Sequence, residues 1–296
     1  MLAPPSPTAR NRKVRMLMSD AGNHSQSGAD KQSVQDFWNR ASCGEDMLLH
    51  GHELADYADQ ARERYALEPY IPEFADFGSA RGKMVLEIGV GLGADHEQFA
   101  RAGANLYGVD LTPRAVEHSN RRLAAAGLKS TISVSDAENL PFDDSTFDII
   151  YSWGVIHHSP NTPKAVAEIF RTLKPGGNCR VMIYHTYSFV GYMLWLRYAF
   201  LRLRWGLTLA DIYSRYLESP GTKAYSLDEA RELFSQFSDV RVSTVLTHGD
   251  LLASAAGQRH RGPLLSVARA VWPRGLIRKL FPTHGLFLLV NASRPS

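Results

Sequence analysis

The stretch Val85 to Gly93, VLEIGVGLG, constrains this chain more than any other. Met84, Val85, Leu86 and Ile88 suit a strand buried on both faces, as in a parallel sheet. Gly89, Gly91 and Gly93 then remove the Cβ atoms that would hold a ligand off the backbone. Ala94 to Gly103 carries Phe99 and Ala100 at helical spacing and ends on glycine, which predicts a helix whose first N–H groups face the turn. The next apolar run, Tyr107-Gly108-Val109, ends at Asp110, a residue able to accept hydrogen bonds from both hydroxyls of a ribose. Strand, glycine turn, helix, strand and acid describe a nucleotide half-site. Gly89-x-Gly91-x-x-Ala94 also satisfies the looser dinucleotide fingerprint, so this segment alone leaves the ligand open.

Residues 131 to 184 narrow the choice. Thr131 to Ser135 reads as a strand that stops at Asp136-Ala137-Glu138, followed by Leu140-Pro141-Phe142 and the turn-forming Asp143-Asp144-Ser145. Phe147 to Ser152 reads as a strand, Thr162 to Leu173 as a helix, Lys174-Pro175-Gly176-Gly177 as its break, and Arg180 to Tyr184 as a fifth strand. With VLEIGVGLG, GVD, SDAENLPF, FDIIYSWGVIHH and LKPGG in this order, residues 84 to 184 resemble the class I S-adenosylmethionine-dependent methyltransferases.

The resemblance implies an α/β fold: a Rossmann-like, seven-stranded, mostly parallel sheet with helices on both faces and an antiparallel last strand. It implies S-adenosyl-L-methionine as cofactor, bound by Glu87, Gly89, Gly91, Gly93, Asp110, Leu111, Asp136, Ala137, Ser152 and Trp153, with Asp136 at the adenine amino group and Ala137 offering a backbone donor. Carboxylates suit a sulfonium, whereas Glu87 would repel a pyrophosphate, so the acids weigh against a dinucleotide. Asp148, at a strand start beside a turn, reads as structural.

A chain of 296 residues, 44% hydrophobic, can bury one large core, which points to one catalytic domain with additions. Residues 1–32, rich in Pro, Ser, Gly and Asn, read as a disordered tail. Residues 33–80 read as a helical cap over the active site, with Val34, Phe37, Trp38 and then Leu54, Tyr57, Ala61 at helical spacings. Residues 81–185 form the cofactor-binding core, 186–284 a basic, acceptor-binding lid or insertion with the sixth strand, and 285–296 the last strand and tail. Within the insertion, Ser226 with Glu229 predicts a capped helix to Phe237. Val240 to Leu246 and Gly285 to Val290 are the expected last strands, antiparallel to each other. Phe189 to Leu207 is apolar and aromatic, but Arg197, Arg202 and Arg204 leave too short a run to span a bilayer. Its place beyond a strand's carboxyl end favours a lid over an interfacial helix or a dimer contact. Two cysteines, Cys43 and Cys179, without metal-ligand spacing point to a reducing cytoplasm.

The expected chemistry is in-line attack on the sulfonium methyl by an O, N or S atom, or a carbon, of a small-molecule acceptor, of secondary-metabolite or lipid-like type, with alignment and exclusion of water supplying most of the catalysis. A base is needed only where the acceptor carries a proton. His157, His158 and His185 are its candidates, with packing as the competing role. Tyr57, Arg64, Tyr65, Tyr184 and Tyr187 are candidates to touch acceptor or cofactor, against the plainer role of core packing. A metal is not expected, because adjacent histidines do not readily converge on one ion and no carboxylate is spaced nearby.

The net charge of +3 hides an uneven spread. From Leu251 to Ser296 there is no Asp or Glu, while Arg259, Arg261, Arg269, Arg274, Arg278, Lys279 and Arg294 are basic. This reads first as a basic exposed face, able to touch an anionic membrane peripherally; no nucleic-acid-binding module accompanies it. Two alternatives stay open at this point: a non-catalytic, membrane-associated regulator that binds the same cofactor, and an NAD-dependent oxidoreductase.

Overall fold

Neighbouring residues along the central strands enter different cores, which is what a sheet covered on both faces requires. The computed structural model describes residues 30–254 and 269–296. Four helices come first: α1 (Lys31–Arg40), α2 (Glu45–Leu48), α3 (Leu54–Leu67) and α4 (Ile71–Ala75). The central part follows as β1 (Met84–Ile88), α5 (Ala94–Arg101), β2 (Asn105–Asp110), α6 (Pro113–Ala125), β3 (Thr131–Val134), β4 (Phe147–Trp153), α7 (Thr162–Thr172) and β5 (Leu173–Tyr184). Then come α8 (Phe189–Tyr198), α9 (Leu209–Ile212), α10 (Leu227–Leu233), β6 (Ser238–Val245), α11 (Arg274–Leu280) and β7 (Phe287–Ser293).

The seven strands lie in the order β3-β2-β1-β4-β5-β7-β6. Strand β7 runs antiparallel to both β5 and β6, and the remaining pairs are parallel, as expected. On one face Leu86, Ile88, Ile150, Val181, Ile183, Leu288 and Val290 pack under α7 and α10. On the other, Val85, Ile149, Tyr151, Met182, Phe287 and Leu289 pack under α4 and Phe99 of α5. The strand order reverses between β1 and β4, and ligands of open α/β sheets sit at the carboxyl edge of that reversal.

Three local readings change. Helix α1 begins at Lys31, inside the expected tail, because the Asp30 side chain accepts the Ser33 N–H at 2.7 Å and caps the helix; residues 1–29 of that tail lie outside the described residues, as do Arg259 and Arg261. The Lys174 to Gly177 break ends α7 but is absorbed into β5 as a bulge. Phe147 pairs with Leu173, while Ile149 pairs with Asn178. The apolar run after β5 is not one helix, since α8 stops at Tyr198 and Leu203 turns the chain with φ of 57°. Asp148 takes the structural role expected of it, accepting the Met84 N–H and the Lys174 ammonium at 2.8 Å each.

One buried cation joins the cap to the sheet domain. Arg122 of α6 is fully buried and donates to Glu97 Oε2 at 2.6 Å, Gln60 Oε1 at 2.7 Å, the Leu92 carbonyl at 3.3 Å and the Tyr57 carbonyl at 2.8 Å. Its guanidinium also lies over the Tyr57 ring, 5.3 Å from the centroid. Helix α3 is therefore part of the rigid body, and Tyr57 is one of its anchors.

Candidate cofactor and acceptor site

A cavity of about 970 Å³ opens at the carboxyl edge between β1 and β4, at the upper end of the usual range for ligand pockets. Its floor is the glycine turn. Gly89 has φ of 84°, and a Cβ there would lie 2.1 Å from Val155 Cγ2, so only glycine fits. Gly91 has φ of 51°, and a Cβ there would meet nothing within 4 Å, so this backbone faces open space. Asp110 Oδ2 accepts the Gly91 N–H at 3.2 Å, and Oδ1 accepts the Thr112 N–H and hydroxyl at 2.9 Å each. Burial raises the Asp110 carboxyl above its ordinary pKa, while these donors pull the other way.

Of the ten residues expected to hold the cofactor, Glu87, Gly89, Gly91, Gly93, Asp110, Leu111, Asp136, Ala137 and Trp153 line this cavity, and Ser152 does not. Ser152 is fully buried with its hydroxyl unpartnered, because β4 alternation turns it away from the side on which Trp153 lies. Glu87 borders the cavity yet spends Oε2 on His96 Nδ1 at 2.8 Å, while His96 Nε2 meets Ser130 at 2.8 Å. Burial raises Glu87 well above a normal carboxyl and lowers His96 to about 3, so the pair is neutral. Asp136 takes a hydrogen bond from Lys31 of α1, which also reaches Glu138 at 3.0 Å. Gln35 of the same helix donates to the Leu111 carbonyl at 2.8 Å, so α1 covers this end of the cavity.

The acceptor candidates separate. Tyr57 and Tyr65 do not line the cavity: Tyr57 is fully buried under Arg122, and Tyr65 donates to Asp95 Oδ1 at 2.9 Å. Tyr187 projects to solvent beside His185 and is also outside it. Arg64 lines the cavity but is committed, donating to Asp95 Oδ2 at 2.8 Å and pairing with Glu68 at 3.6 Å. Tyr184 lines it too, and its hydroxyl donates to Glu218 Oε2 at 2.7 Å.

The base candidates separate in the same way. His185 is buried outside the cavity with Nδ1 on the Gly285 carbonyl at 3.1 Å. His157 is fully buried and does not line the cavity; its ring packs on Tyr184 at 4.1 Å and burial pushes its pKa well down, so it is a neutral packing residue. His158 does line the cavity. Its Nδ1 lies 2.8 Å from Ser219 Oγ and 3.1 Å from Thr222 Oγ1, whose own proton goes to the Ser219 carbonyl at 2.7 Å. Its Nε2 faces Glu218 Oε2 at 3.3 Å.

Glu218 overturns one argument from the sequence: a carboxylate does stand beside the histidine pair, and ligand-type atoms of His157, His158 and Glu218 lie within 4.8 Å of one another. It reaches them from beyond a π-turn at Tyr213–Leu217, a region without periodicity that carried no signal. Glu68, also missed, stands at the end of α3 and lines the cavity. Burial pushes its carboxyl up to about 7 even with Arg64 nearby. Lys31 was missed because its helix was read as tail, although Asp30 three residues before Ser33 was the available cap signal.

Charge changes along the cavity. Glu68, Asp95, Asp110 and Asp136 line it with Lys31 and Arg64 at the inner end, and both cations are already paired with carboxylates. The outer end is Val190, Met193, Leu194, Leu196, Leu201 and Trp272, with Arg197 and Arg269 as its charges.

A methyltransferase-domain family matches residues 86–181. A sterol 4-C-methyltransferase of Caenorhabditis elegans is 39% identical over 94 residues, 31% of this chain and 28% of that protein. The chain spans no more than about half the length of the first curated relatives it matches. A demethylmenaquinone methyltransferase of Tropheryma whipplei is 31% identical over 209 residues, covering 64% of this chain and 86% of that one. The solved Haemonchus contortus phosphoethanolamine N-methyltransferase 2, in complex with phosphomonomethylethanolamine and S-adenosylhomocysteine, shares the fold with a TM-score of 0.56 at 18% identity, over 89% of this chain and 60% of that one. The sheet order, the glycine turn with its two following acids, and a relative matched over most of its length lead to one conclusion: the chain belongs to the S-adenosylmethionine-dependent methyltransferases.

Proposed function

We propose that this chain transfers the methyl group of S-adenosyl-L-methionine to a lipid-like acceptor held in the outer half of the cavity. The observation that carries the reading is the change of lining within one cavity, from acidic and glycine-rich to apolar. The inner end suits a cationic nucleoside: Gly91 leaves space, Asp110 and Asp136 accept hydrogen bonds, and no unpaired cation lines it among the described residues. The relatives named for a sterol and for demethylmenaquinone support an apolar acceptor.

When bound, the cofactor supplies an electrophilic methyl carbon. The chain's own part is alignment and the exclusion of water, for which α1 and the outer apolar wall serve. For an acceptor hydroxyl, His158 Nε2 takes the proton, with Glu218 stabilising the charged imidazole and the Tyr184 hydroxyl holding that carboxylate in place. His158 and Glu218 are thus the base pair of the reading, and Tyr184 is a positioning residue.

The test offers methyl-labelled cofactor with detergent-dispersed quinol or sterol, or with soluble phosphoethanolamine. Label extracted into organic solvent is the expected result; label confined to phosphoethanolamine overturns the acceptor class. Calorimetry should show the cofactor and its demethylated product binding at micromolar order. Binding of neither removes the reading altogether.

A further inference from the structure

We propose that the surface formed by residues 196–205 and α11 docks on an anionic lipid bilayer, so that the outer end of the cavity opens at the membrane. The inference rests on the proposed function only for what enters the cavity, not for the docking itself.

Large apolar side chains stand in solvent here in two segments. Leu201, Leu203 and Trp205 are 62%, 77% and 65% exposed, and Val271, Leu276 and Leu280 are 73%, 54% and 57% exposed. Such side chains are common singly, but a cluster of this size beside a cavity mouth marks an interaction site. The two segments border one opening, for Leu196, Arg197 and Leu201 line the cavity on one side and Arg269 and Trp272 on the other. They are also packed together: Phe189 of α8 meets Trp272 at 6.1 Å and Phe281 at 5.8 Å, and Asp250 ties the Val190 N–H to the Leu286 N–H.

Charge selects the occupant. Neither 189–208 nor 269–285 contains an Asp or Glu, while Arg197, Arg202, Arg204, Arg274, Arg278 and Lys279 interleave with the apolar residues. Arg274 donates to the Leu251, Leu252 and Arg269 carbonyls, and none of the other five cations is in an ion pair among the described residues; Arg202 and Arg197 rest on the Tyr198 ring, and Asp211 caps α9 through Thr208 and pairs with Arg215. Aromatic and aliphatic tips between arginines insert at the headgroup boundary while the cations meet anionic lipid. Among the described residues no helix is long and apolar enough to cross a membrane, which fits a peripheral contact.

The experiment is co-sedimentation of the full chain with vesicles of phosphatidylcholine alone or with about 30% phosphatidylglycerol, a content that gives a strongly negative surface. Wild type should partition at least about tenfold better onto the anionic vesicles, and lose most of this in about 0.5 M salt, where charges are screened within a few ångströms. Leu203→Ser with Trp205→Ser, neither residue lining the cavity, should lose the binding while keeping cofactor affinity by calorimetry; Arg202→Ala with Arg204→Ala should lose the preference for phosphatidylglycerol. Wild type left in the supernatant, or a serine variant that sediments as well as wild type, overturns the proposal. So does a wild-type dimer that the serine variant converts to monomer, which would give this face to a second copy. Methyl transfer to a detergent-dispersed acceptor is read separately, so a failed docking test leaves that reading standing and a failed transfer leaves docking standing.

Discussion

The inner and outer halves of the cavity are built by opposite means. The inner half comes from three strand ends in chain order, at Gly89–Gly93, Asp110–Thr112 and Ser135–Ala137, and uses backbone groups and short acids. The outer half gathers Tyr184 from β5, Val190 and Leu194 from α8, Glu218 from beyond α9 and Trp272 from before α11. Backbone geometry holds a nucleoside with few side chains, so the first half tolerates little change. Side chains set on separate elements can be exchanged one at a time, which lets one cofactor site serve different acceptors.

The comparison can be broken by substitutions on either side. Gly89→Val places a branched side chain at positive φ against Val155 and should cost about 3 kcal/mol or more, seen as a lowered unfolding midpoint together with lost cofactor binding. Asp110→Ala should leave the protein folded and weaken cofactor binding by about 100-fold in calorimetry, close to 3 kcal/mol. Glu218→Gln should lower kcat by about 100-fold, the range of general-base loss, with cofactor affinity within about twofold. If Glu218→Gln weakens cofactor binding as much as Asp110→Ala does, the two halves are not separable. Turnover should persist after chelator treatment; its loss would reassign His157, His158 and Glu218 to a metal.

Smaller effects sharpen the boundary. Glu68 has its carboxyl raised to about 7 by burial, so in the free protein it gains its negative charge as pH rises through that value. A cationic ligand favours the ionised form, so cofactor affinity should rise with pH up to about 7 and level off above it, by less than tenfold per pH unit for one proton. Glu68→Gln should flatten that profile. Lys31→Ala removes a half-exposed ion pair over Asp136 and should change cofactor affinity by no more than severalfold, chiefly through faster exchange.

What could be read in the sequence follows the same division. Apolar runs and a glycine turn are local signals, and they predicted the strands and their order of appearance, while the ten cofactor candidates, nine of which line the cavity, were implied by the resemblance. The aromatic candidates failed for a physical reason: Tyr57 and Tyr65 show the helical spacing of any buried face, and nothing local distinguishes a ring over Arg122 or a hydroxyl on Asp95 from one lining a pocket. His157 and His158 are adjacent, yet a single turn of 3₁₀-helix buries one and turns the other to the cavity. Glu218 and His158 meet only because β5, α8 and α9 return the chain across the carboxyl edge, a pairing that no spacing rule encodes.

Arg122 decides which part of the cap can act as a door. Removing one partner of a buried, multiply bonded cation costs about 3–5 kcal/mol, so swinging α3 outward would expose that cost at every ligand exchange. Helix α1 is held instead by Lys31, Gln35 and partly exposed contacts, each cheap to release and to remake. The frame is therefore welded at α3 and the latch lies at α1. On the proposed reading, cofactor would pass at α1 and acceptor at the outer end, so a bilayer pressed against that end would leave the α1 side free.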